Sequence, residues 1–180
     1  MISVDFFNRF LAFLTLASHI FLVAGLLFFV FSPKNKANIF FAFFGKNGLL
    51  FAFLVAFFAS ALSLFYSNII GFPPCNLCWY QRIFIYPQVI FLGLACLKKD
   101  SAIIDYALAL TFIGGLIALY HTYIGFGGTS LFPCSASGFA SCTQRYVFEF
   151  GYITLPVMSL TSFLLLFFSL FSQKYYQRMK

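Results

Sequence analysis

Five long apolar stretches, separated by short polar pieces, decide most of what this chain can fold into. They run approximately 10–31, 49–70, 79–97, 102–124 and 152–172. About 20 apolar residues in a helix rising 1.5 Å each cross the hydrocarbon core of a bilayer. A helix also pairs its own backbone groups, which lipid cannot do for it. Charged residues make up 8% of the chain, where a soluble domain needs roughly a quarter. The expectation is an all-α integral membrane protein with five spans.

The first stretch, Phe10 to Phe31, is longer than the ~7–15 apolar residues of a secretory leader. The flank Ser32-Pro33-Lys34-Asn35-Lys36 lacks a small-x-small cleavage pattern, so this stretch reads as a retained helix. Ala37 to Phe44 is also apolar; it either lies in the membrane interface or extends the second span. The segments 1–48 and 49–180 then divide the chain into a leading helix with its loop and a four-helix membrane domain.

Net charge is +7, but the cations cluster between apolar runs and form no basic stripe interleaved with aromatics. That distribution argues against nucleic-acid binding. Lys34, Lys36, Lys46, Lys98, Lys99, Lys174, Arg178 and Lys180 fall on one side, against Arg9, Arg82 and Arg145 on the other. The positive-inside rule puts the first group and the C-terminus in the cytoplasm. The N-terminus and the loops 71–78 and 125–151 then face outward.

Four of the five cysteines lie in those two outward loops, as Cys75-Asn76-Leu77-Cys78 and as Cys134 and Cys142. Disulfide chemistry persists on the oxidising side of a membrane. Cys96 comes 18 residues after Cys78 on one helix, which is about 27 Å deeper and beyond the ~7 Å Cα reach of a disulfide. It reads as a small buried hydrophobe.

Pro73-Pro74 end one helix and Trp79 stands at the start of the next, so Cys78 sits near a helix N-terminus, where the dipole favours a thiolate. Arg82 is one turn further along the same face. A cation there is costly without an anionic partner, and a thiolate or a reduced quinone oxygen would serve. Gln81 is placed either to bind a quinone carbonyl or to meet a neighbouring helix. His121 and His19 are each compatible with plain packing, and Trp79 and Tyr80 with an interfacial aromatic belt. Two structural disulfides would account for the four cysteines but leave Arg82 unexplained. A zinc site is disfavoured by the seven-residue gap between Cys134 and Cys142, which is outside common knuckle spacing.

The run Cys75-Asn76-Leu77-Cys78-Trp79-Tyr80-Gln81-Arg82 resembles the signature of the bacterial disulfide-bond formation protein B family (DsbB and its Gram-positive relative BdbC). The likeness continues through His121-Thr122, Cys134, Cys142, Arg145, Gly151 and Pro156, and covers about residues 50–172. It implies a four-helix transmembrane bundle of DsbB type, here with one extra N-terminal helix. It also implies a quinone-linked oxidase of protein thiols. Cys134 would be attacked by a reduced DsbA-type thioredoxin-fold partner, with Cys142 its disulfide partner. Cys75 and Cys78 would take the electrons, Cys78 being the thiolate beside the quinone, whether ubiquinone or menaquinone. Arg82, His121 and Gln81 would line the quinone site, and no metal is implied.

The chain departs from the family pattern in two ways: the fifth helix at the front, and a second cysteine pair spaced more closely than in the enterobacterial form. The rivals are an outward carrier of reducing power, a relative of vitamin K epoxide reductase, and a scaffold or transporter with inert disulfides. The first needs intramembrane cysteines and a thioredoxin-like domain. The second places the loop pair before the CxxC, the reverse of the order here.

Overall fold

A computed structural model of the protein describes residues 4–31, 44–129 and 141–179. The five apolar stretches are five helices: α1 (Val4–Phe31), α2 (Gly48–Leu64), α3 (Asn76–Lys98), α4 (Ile103–Gly125) and α5 (Leu155–Met179). All five are long and apolar enough to cross a membrane. Helix α1 begins earlier than its apolar run suggests. Its first turns carry Asn8, whose carbonyl oxygen accepts from the Tyr66 hydroxyl at 2.7 Å, so a polar residue that would otherwise delay the helix is paired. The Ala37–Phe44 piece lies outside the described residues except for Phe44, which is helical.

The helices associate through small side chains. Along α2, Gly48, Ala52, Ala56 and Ser60 recur every fourth residue and are all buried, a stripe that lets neighbouring backbones approach where lipid supplies no hydrophobic drive. Helix α2 packs on α3, α3 on α4, α4 on α5, and α5 back on α2, closing a four-helix ring against which α1 leans through α5. The ring's core is Leu49, Ala52, Ile85, Leu92, Ile104, Ala118, Phe163 and Leu166, among others. Its buried polar tie is Gln88, which donates to Phe84 O at 2.9 Å and accepts from Thr111 Oγ1 at 3.0 Å. Large apolar residues such as Phe13, Ile20, Leu97, Phe112 and Leu119 point outward, as lipid contact requires.

At the end of the bundle that carries the CxxC, α2 finishes in a π-helical turn, Phe65–Ile69. Gly71 follows at φ +86°, a left-handed conformation that suits glycine. The chain then runs through Pro73-Pro74 into α3. Ahead of α5, Glu149 and Ile153 pair in an antiparallel bridge, and the intervening turn is made by Phe150 and Gly151, both at positive φ.

Candidate redox site

Cys75 is the N-cap of α3, extended at φ −77° and ψ 172°, and its sulfur accepts the backbone N–H of Cys78 at 3.3 Å. A residue before the first turn that offers an acceptor satisfies one of the helix's orphan donors; here the acceptor is a thiol. The two sulfurs are 2.9 Å apart. A third donor comes from α4, where His121 Nε2 lies 3.6 Å from the Cys75 sulfur. The Cys75 thiol is drawn well below its ordinary range, chiefly by the hydrogen bond from the Cys78 thiol and then by His121, against the opposing effect of burial. The sequence points to Cys78 as the thiolate; in this reduced pair the donors converge on Cys75.

His121 is itself oriented. Ser159 Oγ donates to Gln81 Oε1 at 2.7 Å, which turns the Gln81 amide nitrogen toward His121 Nδ1 at 3.0 Å. Nδ1 is then an acceptor, and the neutral ring carries its proton on Nε2, aimed at Cys75. Residues of α5, α3 and α4 thus form one chain of hydrogen bonds that ends on sulfur. Gln81 is 7% exposed and His121 3% exposed, so both are buried.

Arg82 is buried and held from α2: its Nε donates to Ser63 Oγ and its Nη2 to Ser63 O, each at 2.9 Å. Its guanidinium also lies 5.1 Å from the Trp79 ring centroid. Among the described residues the ion pair is Lys174 with Asp105, and Arg82 has no carboxylate partner. A buried cation held only by neutral groups is poised to stabilise negative charge that arises beside it.

Cys142 is disulfide-bonded and 2% exposed. It packs in one buried cluster with Cys75, Leu77 and Ile124, against which Cys78 also rests. Cys134 lies outside the described residues. Cys75, Cys78, Gln81, Arg82, His121 and Cys142 all line one cavity of about 470 Å³. A column of rings covers it at this end: Tyr66 on Phe72 at 5.9 Å, and Phe72 on Tyr146 at 4.6 Å, both pairs 15° from parallel. Burial raises the Tyr146 hydroxyl above its ordinary 10.0, with a further contribution from the nearby cysteines.

Cys75, Cys78 and His121 bring three ligating atoms within 4.8 Å of one another. Two thiolates on one tetrahedral zinc, each 2.3 Å from the metal, sit about 3.8 Å apart. The observed 2.9 Å suits a pair that opens and closes its own bond better than a pair spread around an ion.

Other sequence candidates fall elsewhere. Cys96 is a free thiol packed against the ring's core. Arg145 donates twice to Gly125 O, at 3.0 and 2.7 Å, and so caps the C-terminus of α4. His19 bonds Tyr152 OH at 3.1 Å and Thr161 Oγ1 at 2.7 Å, joining α1 to α5. Ser63 and Ser159 were not singled out from sequence. Each is one of several serines in an apolar helix, and nothing local separates one that orients a neighbour from one that bonds its own backbone.

The model of the family described as disulfide bond formation protein DsbB matches residues 45–173. The chain is 42% identical over 119 residues to a probable disulfide formation protein C of Bacillus cereus, covering 66% of this chain and 86% of that one. It is 45% identical over 122 residues to the SPbeta prophage-derived disulfide bond formation protein B of Bacillus subtilis, covering 68% and 82%. Disulfide bond formation protein C of the same species is 40% identical over 129 residues, covering 67% and 90%. No solved structure gives a significant match.

Proposed function

The chain belongs to the disulfide bond formation protein DsbB family, and from that premise we propose that it reoxidises a DsbA-type thioredoxin-fold partner and passes the electrons to a membrane quinone. It is a membrane disulfide-formation protein, and the family supports a disulfide oxidoreductase role. The observation that carries the finer reading is the shared cluster: a disulfide-bonded Cys142 buried in one cluster with Cys75, at a cavity that Arg82 also lines.

The thiolate of the partner attacks Cys134, forms a mixed disulfide and releases Cys142 as a thiolate. Cys142 then attacks Cys75 of the closed Cys75–Cys78 pair, with which it shares a buried cluster. The Cys75–Cys78 bond breaks, a Cys142–Cys75 bond forms, and Cys78 leaves as a thiolate carrying the electron pair. The partner's second thiol then attacks its own sulfur in the mixed disulfide and frees Cys134, which closes back on Cys142 and releases Cys75, so the partner leaves as a disulfide and its two electrons rest on the Cys75–Cys78 dithiol. A bound quinone would accept the two electrons and two protons. The chain's residues fit one: the redox end of the cavity is polar, with Arg82, Gln81 and His121, and the remainder is apolar. Arg82 offsets negative charge as it develops, and the fixed His121 proton steadies the sulfur that is not reacting. The positive-inside distribution supports both cysteine loops facing the oxidising side, with the C-terminus in the cytoplasm.

The test is catalytic oxidation of a reduced DsbA-type partner by the purified protein with and without a quinone. The expected result is a stoichiometric burst that becomes multiple turnover only when quinone is present. A burst that does not resume on adding quinone contradicts the reading.

A further inference from the structure

The family match begins at residue 45 and leaves α1 out, yet the cavity does not. Leu11, Leu14, Thr15 and Ser18 of α1 line it. Their spacing of i, i+3, i+4 and i+7 is one face of a helix, so α1 presents a continuous stripe to the cavity. The opposite wall is the length of α2 from Phe51 to Tyr66, about 22 Å at the helical rise, and α5 forms the third side. Without α1, this groove between α2 and α5 would open to lipid.

Helix α1 is tied on both sides of the groove it covers. On the α2 side, Phe7 meets Phe65 at 4.8 Å between centroids and Asn8 accepts from Tyr66. On the α5 side, His19 bonds Thr161. The hydroxyls of Thr15 and Ser18 donate back to Leu11 O and Leu14 O, both at 2.8 Å, which leaves this stripe little polarity to offer a ligand. The groove therefore runs from two sulfurs and a guanidinium at one end into apolar walls at the other. That is the profile of an amphiphile with a redox head and a hydrocarbon tail.

We propose that α1 is the third wall of the acceptor site: it encloses the isoprenoid tail of the membrane quinone against α2 and α5, and its Leu14 and Ser18 set how strongly a tailed quinone is preferred. This rests on the quinone reading above, and the experiment separates the two. The first readout uses the unmodified chain in nanodiscs with a quinone that carries a photoreactive diazirine on its tail. Adducts are expected on α1 between Leu11 and Ser18 as well as on α2, and unlabelled tailed quinone should remove them. Adducts confined to α2 and α5 overturn the proposal, as do α1 adducts that excess phosphatidylglycerol removes and tailed quinone does not, since those mark a lipid position.

The second readout is the ratio of kcat/KM for a tailed over a tail-less quinone. Leu14→Trp fills the groove and lowers that ratio about tenfold, the scale on which apolar pockets discriminate by bulk. Phe13→Trp, at a lipid-facing position outside the cavity, leaves the ratio as in wild type. An unchanged ratio in Leu14→Trp overturns the role of α1 while tail-less turnover upholds the quinone reading. Reduction of neither quinone by wild type overturns both.

Discussion

Gln81 donates its amide N–H to Nδ1 of His121 at 3.0 Å, and that contact fixes the imidazole proton on the nitrogen facing Cys75. The consequence is measurable on the sulfur. Cys75 is held low first by the Cys78 thiol and then by His121, so His121→Phe removes the second support and leaves the first. The midpoint of thiolate absorbance in the reduced protein should rise by roughly one pH unit, about 1.4 kcal/mol. Gln81→Leu should move it the same way by less. A midpoint unmoved in His121→Phe would show that the histidine does not act on Cys75.

The same depressed thiol sets the proton count of the redox couple. The reduced pair loses its first proton well below the ordinary thiol range; across neutral pH Cys75 is a thiolate, and this stabilises the reduced form relative to a pair with ordinary thiols. Across neutral pH, reduction then takes up one proton for two electrons. The potential of the Cys75–Cys78 pair should fall by about 30 mV per pH unit, half the two-proton slope. In His121→Phe the potential at neutral pH should be lower by about 30 mV, because the reduced thiolate has lost support. Redox titration over a pH series reads both, and a two-proton slope through neutrality contradicts the thiolate assignment.

Much of this was legible in sequence, for reasons that differ by residue. The five apolar runs had to be helices because lipid leaves the backbone no other partner, and the Pro73-Pro74-Cys75 run had to break one helix before starting another. Arg82 stood out because a guanidinium among apolar residues demands an explanation. Ser63 and Ser159 did not stand out: they act on Arg82 and Gln81 from 19 and 78 residues away, and only the packing of α2 and α5 on α3 brings them there. The stripe on α1 was hidden because α1 is apolar all round, and a helix of that kind does not announce which face it buries. The convergence of hydrogen-bond donors on Cys75 depends on His121, whose position relative to the two sulfurs sequence does not supply.

Ser63 positions Arg82, and the two can be separated kinetically. Arg82→Gln should lower kcat/KM for quinone about 10²-fold, the usual cost of losing a group that stabilises developing charge. Ser63→Ala should leave the charge in place but less well aimed, raising KM for quinone more than it lowers kcat. Ser63→Thr keeps the hydroxyl and should restore wild-type values. Equal effects of Ser63→Ala and Ser63→Thr would mean that the hydroxyl is not what matters.

Gly114 tests the ring. A Cβ there would meet the Phe163 ring and Phe84 Cβ, the latter at 3.0 Å. Both belong to the packed core, so neither yields freely. Gly114→Ala should destabilise the protein by about 1–3 kcal/mol, seen as a lower midpoint of thermal unfolding in detergent. Gly125→Ala, where the added atom meets nothing within 4 Å, should change it less. The reverse order would contradict the packing of α4 on α5.

The most direct test of the central claim is quinone reduction by the purified protein, driven by a reduced DsbA-type partner and followed by absorbance in wild type, Cys78→Ser, Cys142→Ser and Cys96→Ser. Turnover is expected in wild type and Cys96→Ser, and its loss in the other two. Turnover that survives Cys78→Ser, or a wild type that reduces no quinone while its disulfides stay closed, would contradict it.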